Sequence, residues 1–210
     1  VFRAKQHGLH LTVKQLFQHQ TIAELAPVTE QRQHVRATAE QGTVTGPTQL
    51  TPIQHWFFDQ DFAHPDHVNQ SLLIEADTDL TPQQWQHIVR ALLHHHDTLR
   101  TRFLREGDHW HAEITDVPHT LPWQEHDLSA HPPTEHDDHV QRIADQIQSS
   151  IDISTAPLLR AALFTGSRAP GRGSDTGSGL EGVERENRLL LVAHHLVVDV
   201  VSWRIILEDL

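Results

Sequence analysis

The sequence predicts an α/β protein in which helices cover a mixed sheet. Residues 68–75 and the apolar run 189–193 have the composition of strands. Residues 82–93 and 133–150 instead place apolar side chains three and four positions apart, which is typical of amphipathic helices. Helices that alternate with hairpin-like strands are consistent with a mixed sheet covered by helices on one side.

Composition excludes several classes of function. The 210 residues carry 28 acids against 16 bases, a net charge of −12 with no basic run, which disfavours nucleic-acid binding. The absence of cysteine excludes disulfides, thiolate nucleophiles and cysteine-bound zinc, and it fits a reducing cytoplasm. No apolar segment approaches the ~20 residues that span a bilayer, and no signal peptide opens the chain. We therefore predict a soluble, acidic, cytoplasmic protein with neither a nucleic acid nor a membrane as partner.

Three segments are predicted: a small helical unit over residues 1–28, a linker over 29–46 and the main domain over 47–210. In the first, Thr12 is a plausible N-cap and the apolar pattern is interrupted near Gln20. The linker is polar and contains two glycines. The chain starts at Val1 without methionine and ends inside a predicted helix, so we expect a fragment of a longer polypeptide.

Two helices of the main domain begin with the same local signal. Thr51 and Thr81 can each cap a helix whose first position is proline, where the missing amide proton costs nothing. The first helix is expected to bury Ile53, Trp56 and Phe57 on one face, as core and not as a binding site. The second repeats its apolar residues at Trp85, Ile88, Val89, Leu92 and Leu93.

Between the second helix and the end of the chain, hairpin and loop signals alternate. Residues 99–105 and 110–114 flank Gly107 as a predicted hairpin, and 153–164 is a predicted turn and strand. Residues 117–132, with three prolines, are predicted to be irregular. Residues 165–187 are predicted to be a surface loop. Their Gly171-Arg172-Gly173-Ser174 run lacks the strand-to-helix context of a phosphate cradle.

The chemistry concentrates where the strand 189–193 ends. His194 and His195 follow it, Asp199 comes four residues after the second histidine, and Ser202-Trp203 open a helical pattern. Neighbouring side chains of a strand point to opposite faces, so one imidazole can enter a cavity while the other packs away from it. The predicted order is strand, histidine pair, turn and helix.

Another histidine run, His94-His95-His96, extends the end of the second helix. Consecutive helical residues point about 100° apart, so we expect these three not to converge on one metal ion. Their predicted role is to complement the helix dipole while solvated. We predict no metal site.

The histidine pair with its fixed Asp199 and trailing Ser202-Trp203 resembles the condensation-domain superfamily of nonribosomal peptide synthetases. The ending Ser202-Trp203, the opening Leu50-Thr51-Pro52-Ile53-Gln54-His55-Trp56-Phe57-Phe58 and the run Asn69-Gln70-Ser71 look specifically like its epimerization branch. The segment 96–103 resembles a motif shared across the superfamily. Residues 8–25 resemble the last helices of a peptidyl carrier domain, whose phosphopantetheine-bearing serine would lie upstream of Val1.

This resemblance implies a chloramphenicol acetyltransferase-like lobe, the first of two that face each other across a tunnel. It implies inversion at Cα of a residue held as a thioester on the carrier's 4′-phosphopantetheine arm, with no cofactor bound directly. The implied partners are the carrier domain and the second lobe in cis, and other synthetase modules.

By the same resemblance, His195 is the acid/base in the tunnel, and its partner is a glutamate from the second lobe. His194 packs and orients, and Asp199 is neutralised by a buried arginine and fixes the turn. Ser202 and Trp203 support the helix, and Trp203 can also shape the tunnel. The family usually has glycine where this chain has Val200, and a β-branched residue there resists positive φ and adds bulk. We expect reduced activity from Val200.

Two alternatives stay open at this point. In a condensation domain, His195 would assist amide formation between two carrier-bound substrates, and Pro52-Ile53-Gln54 and Ser202-Trp203 argue against it. In a catalytically silent domain of the same superfamily, the protein would only bind carrier domains or recruit other enzymes, and Val200 keeps this hypothesis open.

Overall fold

The computed structural model describes residues 9, 11–29, 42–76, 79–168 and 185–210. The chain divides into two compact units, Val1–Gly42 and Thr43–Leu210. No helix among these described residues is both long and apolar enough to cross a bilayer.

The first unit contains two short helices, α1 (Val13–Gln18) and α2 (Ile22–Leu25), and a 3-10 turn at Ala26–Val28. Thr12 caps α1 as predicted, in a capping box with Gln15. The two helices are separated near Gln20, where the apolar pattern is interrupted, and neither contains a buried residue. Residues 30–41 of the predicted linker lie outside the described part of the chain.

The second unit is built on two sheets. Its described strands are β1 (Gly46–Thr48), β2 (Asn69–Ala76), β3 (Thr101–Glu106), β4 (His109–Ile114), β5 (Trp123–Asp127), β6 (Leu159–Arg168) and β7 (Arg185–His194). The larger sheet has the order β2-β7-β6-β5 and is mixed, since β5 pairs parallel with β6 and the other pairs are antiparallel. The smaller sheet, β1-β4-β3, is antiparallel and contains the predicted hairpin.

The described part of this unit also contains the helices α3 (Pro52–Asp59), α4 (Pro82–His95), α5 (His136–Gln148) and α6 (Val200–Asp209). Thr51 and Thr81 cap α3 and α4 through capping boxes with a glutamine three residues on. β7 and β6 are the two inner strands of the larger sheet, and Leu189–Ala193 of β7 are each at most 3% exposed. The α/β fold class with a helix-covered mixed sheet is confirmed.

The prediction for the buried face of α3 was wrong in part. Phe57 is buried, but Ile53 is 67% and Trp56 is 54% exposed. The buried face instead runs through Gln54 and Phe57, with Phe58 packed partly against the core. The spacing of three and four positions fits both faces equally well, and the neighbouring elements decide between them.

Two predicted irregular segments contain strands. Residues 123–127 form β5, whose main partner is the sequence-distant β6, and Gly46 at the end of the predicted linker begins β1. β6 extends to Arg168 and β7 begins at Arg185, which shortens the predicted loop over 165–187 from both sides. Gly171-Arg172-Gly173-Ser174 lie outside the described residues. Polar alternation masks an edge strand such as β5 when only the sequence is considered.

Candidate active site at the end of β7

The histidine pair lies where β7 leaves the larger sheet, between β2 and the start of β6. The backbone N–H of His194 donates to the Leu158 carbonyl (3.1 Å), and that of His195 donates to the Val68 carbonyl (2.9 Å). The two side chains take opposite faces, as the strand geometry predicts. His194 is fully buried and His195 is exposed.

Both ring nitrogens of His194 are occupied inside the protein. Its Nε2 lies 2.7 Å from the Pro65 carbonyl oxygen, and its Nδ1 accepts the Leu196 backbone N–H at 3.1 Å. A carbonyl only accepts, so the proton sits on Nε2 and the ring is neutral. Burial lowers the pKa of the His194 imidazole below its ordinary value, which favours the same neutral form. His194 has no nitrogen left to exchange a proton with a substrate.

His195 is held differently, and its Nε2 is on the exposed side. Its Nδ1 lies 2.8 Å from the Val198 carbonyl oxygen, so Nδ1 carries the proton and Nε2 carries the lone pair of the neutral ring. Nε2 lies 3.3 Å from the side-chain nitrogen of Gln70 on β2. Of the two histidines, His195 therefore has the arrangement of a general base.

Among the described residues Asp199 does not pair with a buried arginine, so that part of its expected role was wrong, whereas its expected role in fixing the turn agrees with its contacts. It is exposed and caps α6: its Oδ1 accepts from the backbone N–H and the hydroxyl of Ser202, both at 2.7 Å. These two hydrogen bonds, the backbone one first, lower the pKa of the Asp199 carboxyl below its ordinary value. Asp199 and Ser202 thus start the helix that follows the histidine turn.

Trp203 and Val200 lie on one side of a pocket of about 720 Å³. Gln70 and Leu72 of β2 also line it, as does Leu207 of α6. Trp203 is buried, and its indole Nε1 donates to Gln70 Oε1 at 2.8 Å. Val200 is the first residue of α6, is 80% exposed and does not have positive φ. The backbone therefore needs no glycine at position 200, and only the bulk of the side chain remains as an obstacle.

Sequence reasoning assigned no role to two glutamines that hold this site. Gln54 of α3 is buried and donates to the Leu196 carbonyl at 2.9 Å, which fastens the turn after the histidines. Gln70 links Trp203 to His195. Both glutamines belong to sequence segments that resemble epimerization domains. That resemblance was the one indication in the sequence that they have a role at the site.

The geometric reason for excluding a metal at the second histidine run was wrong for His96. α4 ends at His95, and His96 leaves the helix with φ −101° and ψ 87°. His95, His96 and Asp209 consequently each offer a ligand atom within 4.8 Å of the others, and His96 Nε2 lies 3.0 Å from Asp209 Oδ2. Two histidines and a carboxylate suit zinc in kind. The short distance between His96 and Asp209 is explained equally well by an ion pair between the ends of α4 and α6, without a metal ion. His94 and His95 do lie in the last turn of α4, as predicted.

The fold agrees with the outcome of comparison with protein families. Residues 44–170 match the family model described as "Condensation domain", and the chain belongs to that family.

The chain is similar along its whole length to segments of large peptide synthases. It is 43% identical over 210 residues to a linear gramicidin synthase protein of Brevibacillus parabrevis, which is 100% of this chain and 4% of that protein. It is 37% identical over 211 residues to a surfactin synthase protein of Bacillus subtilis (strain 168), covering 99% of this chain and 5% of that protein. The chain thus spans only a small part of these relatives.

Solved structures show the same fold. The epimerization domain from the third module of tyrocidine synthetase B is 32% identical, with a TM-score of 0.67 over 81% of this chain and 34% of that one. The first condensation domain of the calcium-dependent antibiotic synthetase is 22% identical, with a TM-score of 0.58 over 79% and 36%. The second similarity concerns the fold alone.

Proposed function

We propose that the complete domain containing this chain is an epimerase of a nonribosomal peptide synthetase. Its reaction inverts Cα of an aminoacyl or peptidyl residue held as a thioester on the 4′-phosphopantetheine arm of a carrier domain. The observation that carries the proposal is the division of roles in the histidine pair: the nitrogens of His194 are both occupied, whereas His195 presents a lone pair on Nε2. The similarity to a solved epimerization domain supports the choice of reaction.

The chemistry needs a base on one face of Cα and a proton donor on the other. A thioester carbonyl acidifies the α-proton, and an imidazole whose ordinary pKa lies near neutrality suits its removal. In this chain His195 Nε2 takes the proton, and the Val198 carbonyl stabilises the resulting imidazolium through Nδ1–H. By resemblance, a glutamate of the second lobe serves the opposite face. That glutamate delivers its own, solvent-exchangeable proton to the opposite face of Cα, which gives the D-residue, while the abstracted α-proton stays on His195 until it exchanges with water.

The pocket beside Gln70 is where the substrate arm would approach. Its walls from β2 and α6 are largely apolar on one side, with Leu72, Val200 and Leu207. Arg204 and Glu208 of α6 complete the lining, so the pocket offers apolar contacts to the arm beside a charged rim. The carrier remnant proposed for residues 1–28 would precede the domain, as the cis arrangement requires.

The test uses the complete domain with its second lobe and its own carrier. An L-aminoacyl thioester is loaded in deuterated water, and the mass and chirality at Cα are read after release. We expect deuterium incorporation with D product, lost in His195→Ala and retained in His119→Ala. His119 is an exposed histidine outside the 194–203 segment, so its variant is the matched control.

The same assay separates the alternatives. A condensation domain would give no α-exchange but would form an amide when a second loaded carrier is supplied, with His195→Ala abolishing it. A silent domain would bind the loaded carrier and give neither product. Either result would refute the epimerase proposal.

A further inference from the structure

The side chain of Gln70 has only one orientation that satisfies both of its neighbours. Trp203 Nε1–H lies 2.8 Å from Gln70 Oε1, and an indole N–H can only donate, so the amide oxygen must face it. The amide nitrogen of Gln70 then faces His195 Nε2 at 3.3 Å and can only donate to it. The three side chains form a directed chain of hydrogen bonds from Trp203 through Gln70 to His195.

This direction matches the tautomer that the backbone imposes on His195. The Val198 carbonyl requires the proton on Nδ1, so Nε2 of the neutral ring is an acceptor and receives the Gln70 N–H. An imidazolium would carry hydrogen on both nitrogens, so its Nε2–H and the amide N–H of Gln70 would be two donors facing each other with no acceptor between them. Turning the amide to relieve that clash would break the shorter contact with Trp203.

We propose that Gln70 is a positioning residue that holds His195 as the neutral, Nδ1-protonated base with its Nε2 lone pair on the substrate side. This inference rests on the proposed function and adds the residue that presents the base to the substrate. The link from Gln70 to His195 is the longest of the three contacts, at 3.3 Å against 2.8 Å for both others. It is therefore the contact that yields when a substrate Cα–H takes the place of the amide.

Other titratable groups beside His195 do not impose this arrangement. Among the described residues, Arg204 and Glu208 of α6 line the pocket that Gln70 borders and pair with each other at 2.9 Å. His194 adjoins His195 on β7, and Asp199 follows at the start of α6. His194 has both nitrogens engaged elsewhere, and Asp199 is engaged with Ser202. Neither donates a hydrogen bond to His195 Nε2. Gln70 is therefore the neighbour that determines whether His195 Nε2 faces a hydrogen-bond donor or an acceptor.

The substitution Gln70→Glu isolates this role because it keeps the shape and reverses one contact. One carboxylate oxygen still accepts from Trp203, while the other now accepts from His195 Nε2 and favours the imidazolium. A carboxylate at this range shifts a protonation equilibrium by about tenfold or more. Gln124→Glu is the matched control, since Gln124 also contacts a histidine Nε2, that of His126, at 3.0 Å on β5.

The experiment reads His195 directly in the complete, carrier-containing protein. Diethyl pyrocarbonate acylates neutral imidazole, and peptide mass spectrometry gives the labelling rate of His195 at each pH. We expect Gln70→Glu to slow that rate several-fold at pH 7, to recover it near pH 9, and to slow α-exchange in parallel. Gln124→Glu should leave both unchanged. An unaltered pH dependence of His195 labelling in Gln70→Glu would overturn the proposal.

A second variant keeps the test open if Gln70→Glu folds poorly. Gln70→Met removes the donor to His195 and the acceptor of Trp203 without adding charge, so the ring loses its alignment while the apolar pocket wall of Leu72, Val200 and Leu207 is unchanged. We expect kcat for α-exchange to fall about tenfold with KM unchanged. A rise in KM with constant kcat would mean that Gln70 contacts the substrate and would refute its positioning role. If the wild type shows no α-exchange but Gln70→Glu still shifts labelling, the epimerase proposal fails and the Gln70 inference stands.

Discussion

Replacing Val200 by glycine tests whether the pocket wall limits the proposed reaction. Val200 has a helical backbone, so glycine relieves no strain, and at the first position of α6 it costs at most about 0.5 kcal/mol of helix propensity. The side chain is 80% exposed, so truncation loses only about one fifth of the ~2 kcal/mol that full burial of valine would supply. The free energy of unfolding should therefore fall by less than about 1 kcal/mol.

The functional effect of the same change should be larger than its effect on stability. The isopropyl group lies on the pocket wall, and relief of such crowding is worth about 1 kcal/mol or more. That corresponds to about a fivefold gain in kcat/KM. Because the arm is bound equally in the ground and transition states, the gain should appear as a lower KM for the loaded carrier with unchanged kcat.

The assay titrates a separately supplied, aminoacyl-loaded carrier domain against the complete two-lobed domain and follows deuterium entry at Cα. Val201→Gly is the matched control: Val201 is 64% exposed on the same turn of α6 but is absent from the pocket wall. An unchanged KM in Val200→Gly, or an equal gain in Val201→Gly, would refute the reasoning.

Two further predictions concern the residues on either side of His195. Burial lowers the pKa of His194, so below a pH of about 6.5 the unfolded chain binds a proton at this residue and the folded chain does not. The free energy of unfolding therefore decreases as the pH falls, by up to about 1.4 kcal/mol per pH unit. His194→Gln should remove this pH dependence from the local opening free energy of β7, measured by hydrogen exchange. An equal pH dependence in the variant and the wild type would contradict the prediction. Asp199→Ala should increase hydrogen exchange at the start of α6, whereas Asp199→Asn, an equally good N-cap, should restore protection. An asparagine that protects no better than alanine would indicate that charge pairing, and not capping, is the role of Asp199.

Local features of this protein could be predicted from the sequence because their causes are local. The caps at Thr51 and Thr81, the periodicity of α4 and α5 and the apolar run of β7 depend on residues within a few positions of one another. The same holds for the order of strand, histidine pair, turn and helix, and for the opposite faces of His194 and His195. A hydrogen bond between residues three positions apart, or a regular spacing of apolar side chains, can be recognised in the sequence.

Only the tertiary structure decided which partners these elements meet. α3 buries Gln54 in place of Ile53 because the turn after the histidines presents the Leu196 carbonyl, 142 positions along the chain. Gln70 meets His195 across 125 positions, and β5 becomes a strand only because β6 lies beside it.

The pairing of Asp199 also depended on the fold, which turns its carboxylate toward Ser202 at the start of α6 and away from any arginine of the described residues. The residue types at the site, and the resemblance they carry, were present in the sequence. The tautomer of His195 and the direction of its hydrogen bonds were not, because they follow from which atoms the fold brings within 3.5 Å, and sequence spacing does not encode that distance.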